Sequence, residues 1–240
     1  MMYEPHEVEW TPEKVARLWG YYASNASYRN QYFSAHSGRA IVARAEREVE
    51  VTNRRVLDFG CGRGDLLAHL YAKGIAAQGL EFEQESARET EARFAGEPLF
   101  GGVELATSLP SSFPDASFDR IFLVEVVEHL LDDQIEPTLR EVHRLLAPDG
   151  RVIVTTVNSE DLEASKVACP DCGAIFHRWQ HQRSFTADSL AGLFASAGLR
   201  TVLAEATFWG ATRLVRLRTR VRHPRTPLPQ PHLLYIGAPA

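Results

Sequence analysis

The sequence predicts a single α/β unit: a doubly wound, mostly parallel sheet of seven strands with a helical lid ahead of it. From Arg55 onward, short apolar runs alternate with segments of helical spacing, the pattern of βαβ units around a parallel sheet. The first run enters a helix through a glycine-rich turn, Gly60-Cys61-Gly62-Arg63-Gly64. Two more apolar runs close the chain, and helix-flanked strands in this order fit an open sheet better than a barrel.

Residues 1–50 form the expected lid and residues 51–240 the sheet domain, with a Cys- and His-containing insertion over 158–185. Thr11-Pro12-Glu13 reads as a helix start, with Thr11 as cap and Pro12 at the first helical position. The lid carries Trp10, Trp19, Tyr21, Tyr22, Tyr28, Tyr32 and Phe33 ahead of an amphipathic stretch, Gly38–Glu50. Strands are expected at Arg55–Phe59, Ala76–Leu80, Gly102–Leu105, Phe118–Val124 and Arg151–Thr156. Helices are expected at Leu66–Ala72, Gln84–Phe94, Ile135–Leu146 and Ala187–Ala197, and Pro148-Asp149-Gly150 reads as a turn into the fifth strand. Late strands are expected at Thr201–Ala206 and Leu233–Gly237, separated by an arginine-rich stretch and a proline-rich loop, Pro224–Pro231.

Composition narrows the class. One core with an insertion accommodates 240 residues. Hydrophobic residues at 45% and charged residues at 24% exclude global disorder and a fibrous chain. No run of about 18 apolar residues occurs, so no membrane span is expected, and Met1–Trp10 is polar where a signal peptide needs an apolar stretch. The expected compartment is the cytoplasm. Cys61, Cys169 and Cys172, an odd count with one close pair, suit reducing conditions. A net charge of -5 counts against a generic nucleic-acid binder, although no acid follows Glu205 and Arg213, Arg216, Arg218, Arg220, Arg222 and Arg225 lie close together.

Val56-Leu57-Asp58-Phe59-Gly60-Cys61-Gly62-Arg63-Gly64 joins an apolar strand to a helix, and its glycines let backbone approach a ligand. Glu81 ends the second strand, where an acid can accept hydrogen bonds from two ribose hydroxyls. A nicotinamide site is disfavoured because the GxGxxG pattern is incomplete.

This series resembles the class I S-adenosylmethionine (SAM) dependent methyltransferase family, whose fold is Rossmann-like. The resemblance extends through Leu109-Pro110, Ser117-Phe118-Asp119-Arg120-Ile121, Glu125-Val126-Val127-Glu128-His129-Leu130 and Leu145-Leu146-Ala147-Pro148-Asp149-Gly150. It implies that Asp58, Gly60 and Gly62, with Cys61 between them, line the methionine part of SAM. It further implies that Glu81 grips the ribose, Phe82 flanks the adenine, and Ala106 and Thr107 face the adenine edge. Glu125 and the lid residue Tyr32 complete the expected cofactor contacts. The acid often found before the family's Leu-Pro is replaced by Leu105.

Methyl transfer from a sulfonium is an in-line displacement, so the protein must align a nucleophile and exclude water. His129, just beyond the fourth strand, is the expected proton acceptor, with Glu128 and His181 beside it. Glu125, Glu128, His129 and a later histidine also resemble the metal set of the metal-dependent small-RNA 2′-O-methyltransferases, with His181-Gln182-Arg183-Ser184-Phe185-Thr186 a partial match. An ion there would bind vicinal hydroxyls and lower the pKa of one. A competing expectation is a structural zinc knuckle of Cys169, Cys172, His177 and His181, with Gly173 permitting the tight turn.

The alternating arginines 216–222 would place guanidiniums on one strand face and suit an anionic acceptor. The leading expectation is O-methylation of a hydroxylated small molecule or glycan terminus, with Tyr21, Tyr22, Tyr28, Tyr32, Phe33 and the Trp179 loop shaping the acceptor pocket. RNA is the less favoured acceptor, because the chain is acidic overall. A non-catalytic SAM-binding module is the remaining alternative, and the intact glycines and Glu81 argue against it.

Overall fold

The computed structural model describes residues 4–28, 31–209 and 230–240. The chain runs β1 (His6–Glu7), α1 (Pro12–Ser24), α2 (Phe33–Val49), β2 (Val56–Phe59), α3 (Asp65–Tyr71), β3 (Ala77–Glu81), α4 (Gln84–Arg93), β4 (Phe100–Leu105) and β5 (Phe118–Val124). It continues with α5 (Asp132–Leu145), β6 (Leu146–Val157), β7 (Lys166–Ala168), β8 (Ala174–His177), α6 (Ala187–Ser196), β9 (Leu199–Thr207) and β10 (His232–Pro239). The arginine-rich segment 213–225 lies outside the described residues.

Seven strands form one sheet in the order β4-β3-β2-β5-β6-β10-β9. Neighbours from β4 to β6 run parallel, and β10 is antiparallel to both β6 and β9. Because β3 and β4 lie on one side of β2 while β5 and β6 lie on the other, the crevice beyond the carboxyl ends of β2 and β5 is the topological switch point.

The sheet is covered on both faces, so its central strands are buried along nearly their whole length rather than in alternation. Val56, Leu57 and Phe59 of β2 are all buried. Leu57, Phe59, Leu123 and Val154 pack against α5 and α6 through Leu139, Val142, Leu145, Leu190 and Phe194. Val56, Phe122 and Ile153 pack against α2 and α3 through Ile41, Val42, Ala45, Leu66, Leu67 and Leu70. Each such leucine stabilises the fold by roughly 1.5–3 kcal/mol. Arg120 fastens the end of α2 to β5, its Nε donating to the carbonyls of Val49 and Glu50 at 2.9 and 2.8 Å.

The lid helix starts as expected: Pro12 opens α1 and the Thr11 side chain accepts from the Lys14 N–H. Helix α2 begins at Phe33, ahead of the expected Gly38, and α5 begins at Asp132 rather than Ile135. Strand β6 begins five residues before the expected Arg151. Leu146 pairs with Phe118 and Arg151 with Arg120, so the turn residues 147–150 bulge out between two paired segments.

The insertion builds a second sheet, unanticipated because its strands are too short to show periodicity. It has the order β1-β8-β7, with β1 parallel and β7 antiparallel to β8. Gly173 is required here, since a Cβ would fall 2.4 Å from the Glu4 carbonyl oxygen and φ is +80°. The chain ahead of α1 is thereby tied to the loop after β6.

Candidate active site

A cavity of about 930 Å³ opens at the switch point. Its first wall is the glycine turn. Gly60 and Cys61 donate backbone N–H groups to the Leu80 carbonyl at 2.8 and 3.1 Å, which pins the turn to β3. Gly62 has φ +52° and a Cβ there would meet no atom within 4 Å, so a ligand can rest on bare backbone.

The Gly62 N–H donates to Glu81 Oε2 at 2.6 Å, while Phe82 and Glu83 donate to Oε1 at 2.8 and 2.9 Å. Burial pushes the Glu81 pKa up and these three bonds oppose the rise. Carboxylate oxygens so oriented keep lone pairs for hydroxyl donors. Beside it Phe82 is 43% exposed, an uncovered ring in the wall, and Ala106, Thr107 and Ser108 continue the same surface. Tyr32 borders this end near Arg63, Glu89, Asp65 and Glu81, and burial raises its hydroxyl to about 12.

Asp58 departs from the expected placement. It is buried beneath the turn rather than in the cavity wall. Burial, with the charges of Glu81 and Asp65, pushes its carboxyl well above the carboxylate range, and Oδ2 forms no hydrogen bond among the described residues.

The opposite wall grows from the end of β5. Glu125 sits at φ +53°, a region costly for a residue with a Cβ. It accepts from the Thr155 hydroxyl at 2.8 Å, and burial raises its pKa to about 7. Glu128 is 1% exposed and lies behind the wall. Burial and the neighbouring Glu125 push it well above the ordinary carboxyl range. Two carboxyls this close in an apolar setting do not both ionise at neutral pH. His129 faces the cavity, and burial together with His181 lowers its pKa to about 3. That corrects its expected role: an imidazole so reluctant to bind a proton is a poor general base.

The lid supplies an aromatic wall of Trp19, Tyr22, Tyr28 and Phe33, joined by Trp179 from the loop after β8. Tyr21 is 55% exposed and stays outside it. Trp19 donates to Gln180 Oε1 at 3.1 Å, and Gln180 Nε2 donates to the His129 carbonyl at 2.7 Å. The Tyr22 hydroxyl donates to the Arg178 carbonyl at 2.5 Å. Gln180 escaped the sequence reading because its partners are 161 and 51 residues away.

His181 also lines the cavity, its ring 4.8 Å from that of His129. Its Nδ1 bonds Glu160 Oε2, while Glu160 Oε1 stands 3.3 Å from His177 Nε2. Burial would raise the Glu160 pKa, but the hydrogen bonds from both histidines outweigh it and bring the group to about 2. Glu160 was not singled out in the sequence. The available signal was its position three residues beyond Val157, where the fifth strand's apolar run ends and where sheets of this class place their sites.

The four-ligand knuckle is not assembled. Cys169 and Cys172 sit at the tip of the β7–β8 hairpin, whereas His177 pairs with Lys166 at its base. Among the described residues the donor groups that converge are Glu128, His129 and His181, and Glu160, His177 and His181, each within 4.8 Å. Neither includes a cysteine.

A glycine turn and a buried acid on adjacent parallel strands, opening on a cavity with a second wall for an acceptor, define a class I SAM-dependent methyltransferase. A methyltransferase-domain family model matches residues 28–204, and the chain belongs to that family. It is 30% identical over 128 residues to the methyltransferase GfsG of Streptomyces halstedii, covering 51% of this chain and 45% of that protein. It is 32% identical over 107 residues to a ubiquinone biosynthesis O-methyltransferase of Paracidovorax citrulli, covering 44% of each. The chain thus spans less than half the length of these relatives. In fold it matches the Burkholderia thailandensis 1,6-didemethyltoxoflavin-N1-methyltransferase, solved with S-adenosylhomocysteine, at TM-score 0.67 and 20% identity over 98% of this chain and 94% of that one. A Haloferax volcanii methyltransferase solved with its Trm112 activator matches at TM-score 0.66 and 18% identity, over 92% of this chain and 97% of that one. Among the described residues no helix is long and apolar enough to cross a membrane.

Proposed function

We propose that the protein transfers the methyl group of SAM to a hydroxyl oxygen of an uncharged small molecule or glycan terminus. The observation that carries this reading is the single cavity shared by Gly60, Gly62 and Glu81 at one end and by His129, His181 and the aromatic lid at the other. The residues fit SAM: Glu81 is held ready for hydroxyl donors, Phe82 offers an uncovered ring, and the space above Gly62 is open. SAM supplies an electrophilic methyl group on sulfur. The chain's contribution is to bind and orient it, to exclude water with the Trp19–Trp179 wall, and to receive the acceptor's proton.

Several features favour an uncharged acceptor over RNA. In the described wall the guanidinium is that of Arg63, at the cofactor end, and it pairs with Glu89 at 2.5 Å. The net charge of -5 and the enclosed aromatic wall point the same way. The names of relatives in ubiquinone and tocopherol pathways support oxygen as the methylated atom. An N-methylating relative, ajmaline N-methyltransferase, also matches, and the second imidazole of the acceptor wall, that of His181, is placed to receive a hydroxyl proton, which favours oxygen here.

The expected metal set has an observation of its own. Both Glu128 oxygens and His129 Nδ1 are buried without a hydrogen bond of normal geometry, and they face His181. Glu128, His129 and His181 therefore fit a divalent ion, which would supply acidification of a bound hydroxyl. Incubation with radiolabelled SAM and pools of phenols, glycans, quinone precursors and RNA, each with and without Mg²⁺ or a chelator, tests both readings. Label in O-methyl small molecules or glycans is the expected result. Label confined to RNA overturns the acceptor class, and full turnover in chelator overturns the ion.

A further inference from the structure

We propose that Glu160 and His177 form a positioning pair that fixes the tautomer of His181, leaving its Nε2 lone pair toward the cavity. His177 Nδ1 accepts two backbone N–H groups, from Trp179 at 3.3 Å and from His181 at 3.1 Å. A ring nitrogen that accepts carries no proton, so the proton of neutral His177 sits on Nε2. That nitrogen stands 3.3 Å from Glu160 Oε1. The other carboxylate oxygen, Oε2, meets His181 Nδ1. An ionised carboxylate only accepts, so Nδ1 of His181 must donate, and in the neutral ring Nε2 is then bare.

The surroundings hold this arrangement in place. His177 is 4% exposed and stacks on His181 with centroids 4.4 Å apart and planes at 20°. His181 lines the cavity, whereas neither Glu160 nor His177 does, so these two act only through it. Orientation of a functional imidazole by a carboxylate on its far nitrogen is a general device for fixing which nitrogen works. The use of the free lone pair, as proton acceptor or as donor to an ion, rests on the methyl-transfer reading above. The tautomer itself does not.

The test reads ring protonation directly, by long-range proton–nitrogen correlation spectra of the full chain with ¹⁵N-labelled histidine. In the wild-type protein, His181 is expected to carry its proton on Nδ1 and His177 on Nε2. Glu160→Gln offers one acceptor and one donor. His177 is held by backbone N–H groups and keeps its tautomer, so the amide oxygen goes to His177 and the amide N–H to His181. The His181 proton is then expected to move to Nε2, inverting its pattern of protonated and bare nitrogens. Glu160→Asp is expected to restore Nδ1–H. S-adenosylhomocysteine binding and melting temperature serve as controls for the fold. A wild-type His181 protonated on Nε2 overturns the proposal whether or not a variant folds. A folded Glu160→Gln protein with Nδ1–H unchanged overturns it as well. Absence of methyl transfer, with the tautomers as stated, would fall on the functional reading alone.

Discussion

The indole of Trp19 stands edge-on to the imidazole of His129, with centroids 5.0 Å apart and planes at 86°. A residue of the first helix thus touches one from the end of β5, and Gln180 locks the contact by bonding both. Gln180 is fully buried at φ +60°, so its side chain serves this link and not solvent. Replacement by Leu leaves the Trp19 N–H and the His129 carbonyl without partners. Each orphan costs about 1–3 kcal/mol. Gln180→Leu is therefore expected to lower the melting temperature and raise KM for the acceptor, with the affinity for S-adenosylhomocysteine little changed. Steady-state kinetics and calorimetry check this, and an unchanged acceptor KM would mean the lid does not bound the acceptor site.

Glu81 carries the opposite assignment. Three backbone N–H groups converge on its carboxylate, so removing it both deprives a ligand of a charged acceptor and loosens the turn at Gly62. Hydrogen bonds to charged groups contribute about 1.5–3 kcal/mol each. Glu81→Ala is expected to weaken S-adenosylhomocysteine binding by at least about 100-fold, or ~3 kcal/mol. Isothermal titration calorimetry measures it, with His129→Ala as the comparison that retains binding. Equal loss in both variants would contradict separate cofactor and acceptor walls.

The contrast between these residues explains what could be read from sequence. The strand, the glycine turn and Glu81 form a local pattern in which each part constrains the next, because a parallel strand must lead into a helix through a tight turn. The doubly wound, mostly parallel sheet was legible for the same reason. Gln180, Trp19 and Glu160 act across contacts of 161, 51 and 21 residues, and no periodicity marks them. The Cys-His spacing misled because β8 is extended. It carries His177 to the far end of the hairpin from the cysteines, whereas a knuckle needs the chain to fold back. His129 was correctly placed at the strand end, but its burial, which decides its proton affinity, is a property of the packed lid.

That burial has a consequence for pH. His129 is lowered to about 3 by burial and His181, and His232 to about 4 by burial. Both have folded pKa values below the unfolded value of about 6.5. The unfolded chain therefore binds these protons first as pH falls. Their contribution to stability is fully present above about pH 6.5 and is lost as pH drops toward the folded values. Between pH 6.5 and 5, each site is expected to remove up to about 2 kcal/mol. Denaturant unfolding at pH 7 and pH 5 should show His129→Phe spared this histidine's share of the acid loss relative to the unsubstituted protein. The buried Glu125 and Glu128, whose pKa values are raised, act with the opposite sign in both proteins. An unfolding free energy that changes equally with pH in the two proteins would show that the His129 ring is solvated.

Thiol reactivity separates the two cysteine environments. Cys61 is 6% exposed under the glycine turn, and burial, with the charges of Glu81 and Asp58, pushes its pKa well up. Cys169 lies at the hairpin tip, where backbone N–H groups of Cys172 and Asp171 lower its thiol pKa. The thiolate is the nucleophile, so iodoacetamide at pH 8 is expected to label Cys169 well before Cys61, by about 10-fold or more in rate. Peptide mass spectrometry over time reads the order. If the pair held zinc, adding chelator would accelerate labelling and Cys172→Ser would lower the bound metal. The hairpin geometry predicts neither change, and any divalent ion retained by the protein should instead depart in His181→Ala.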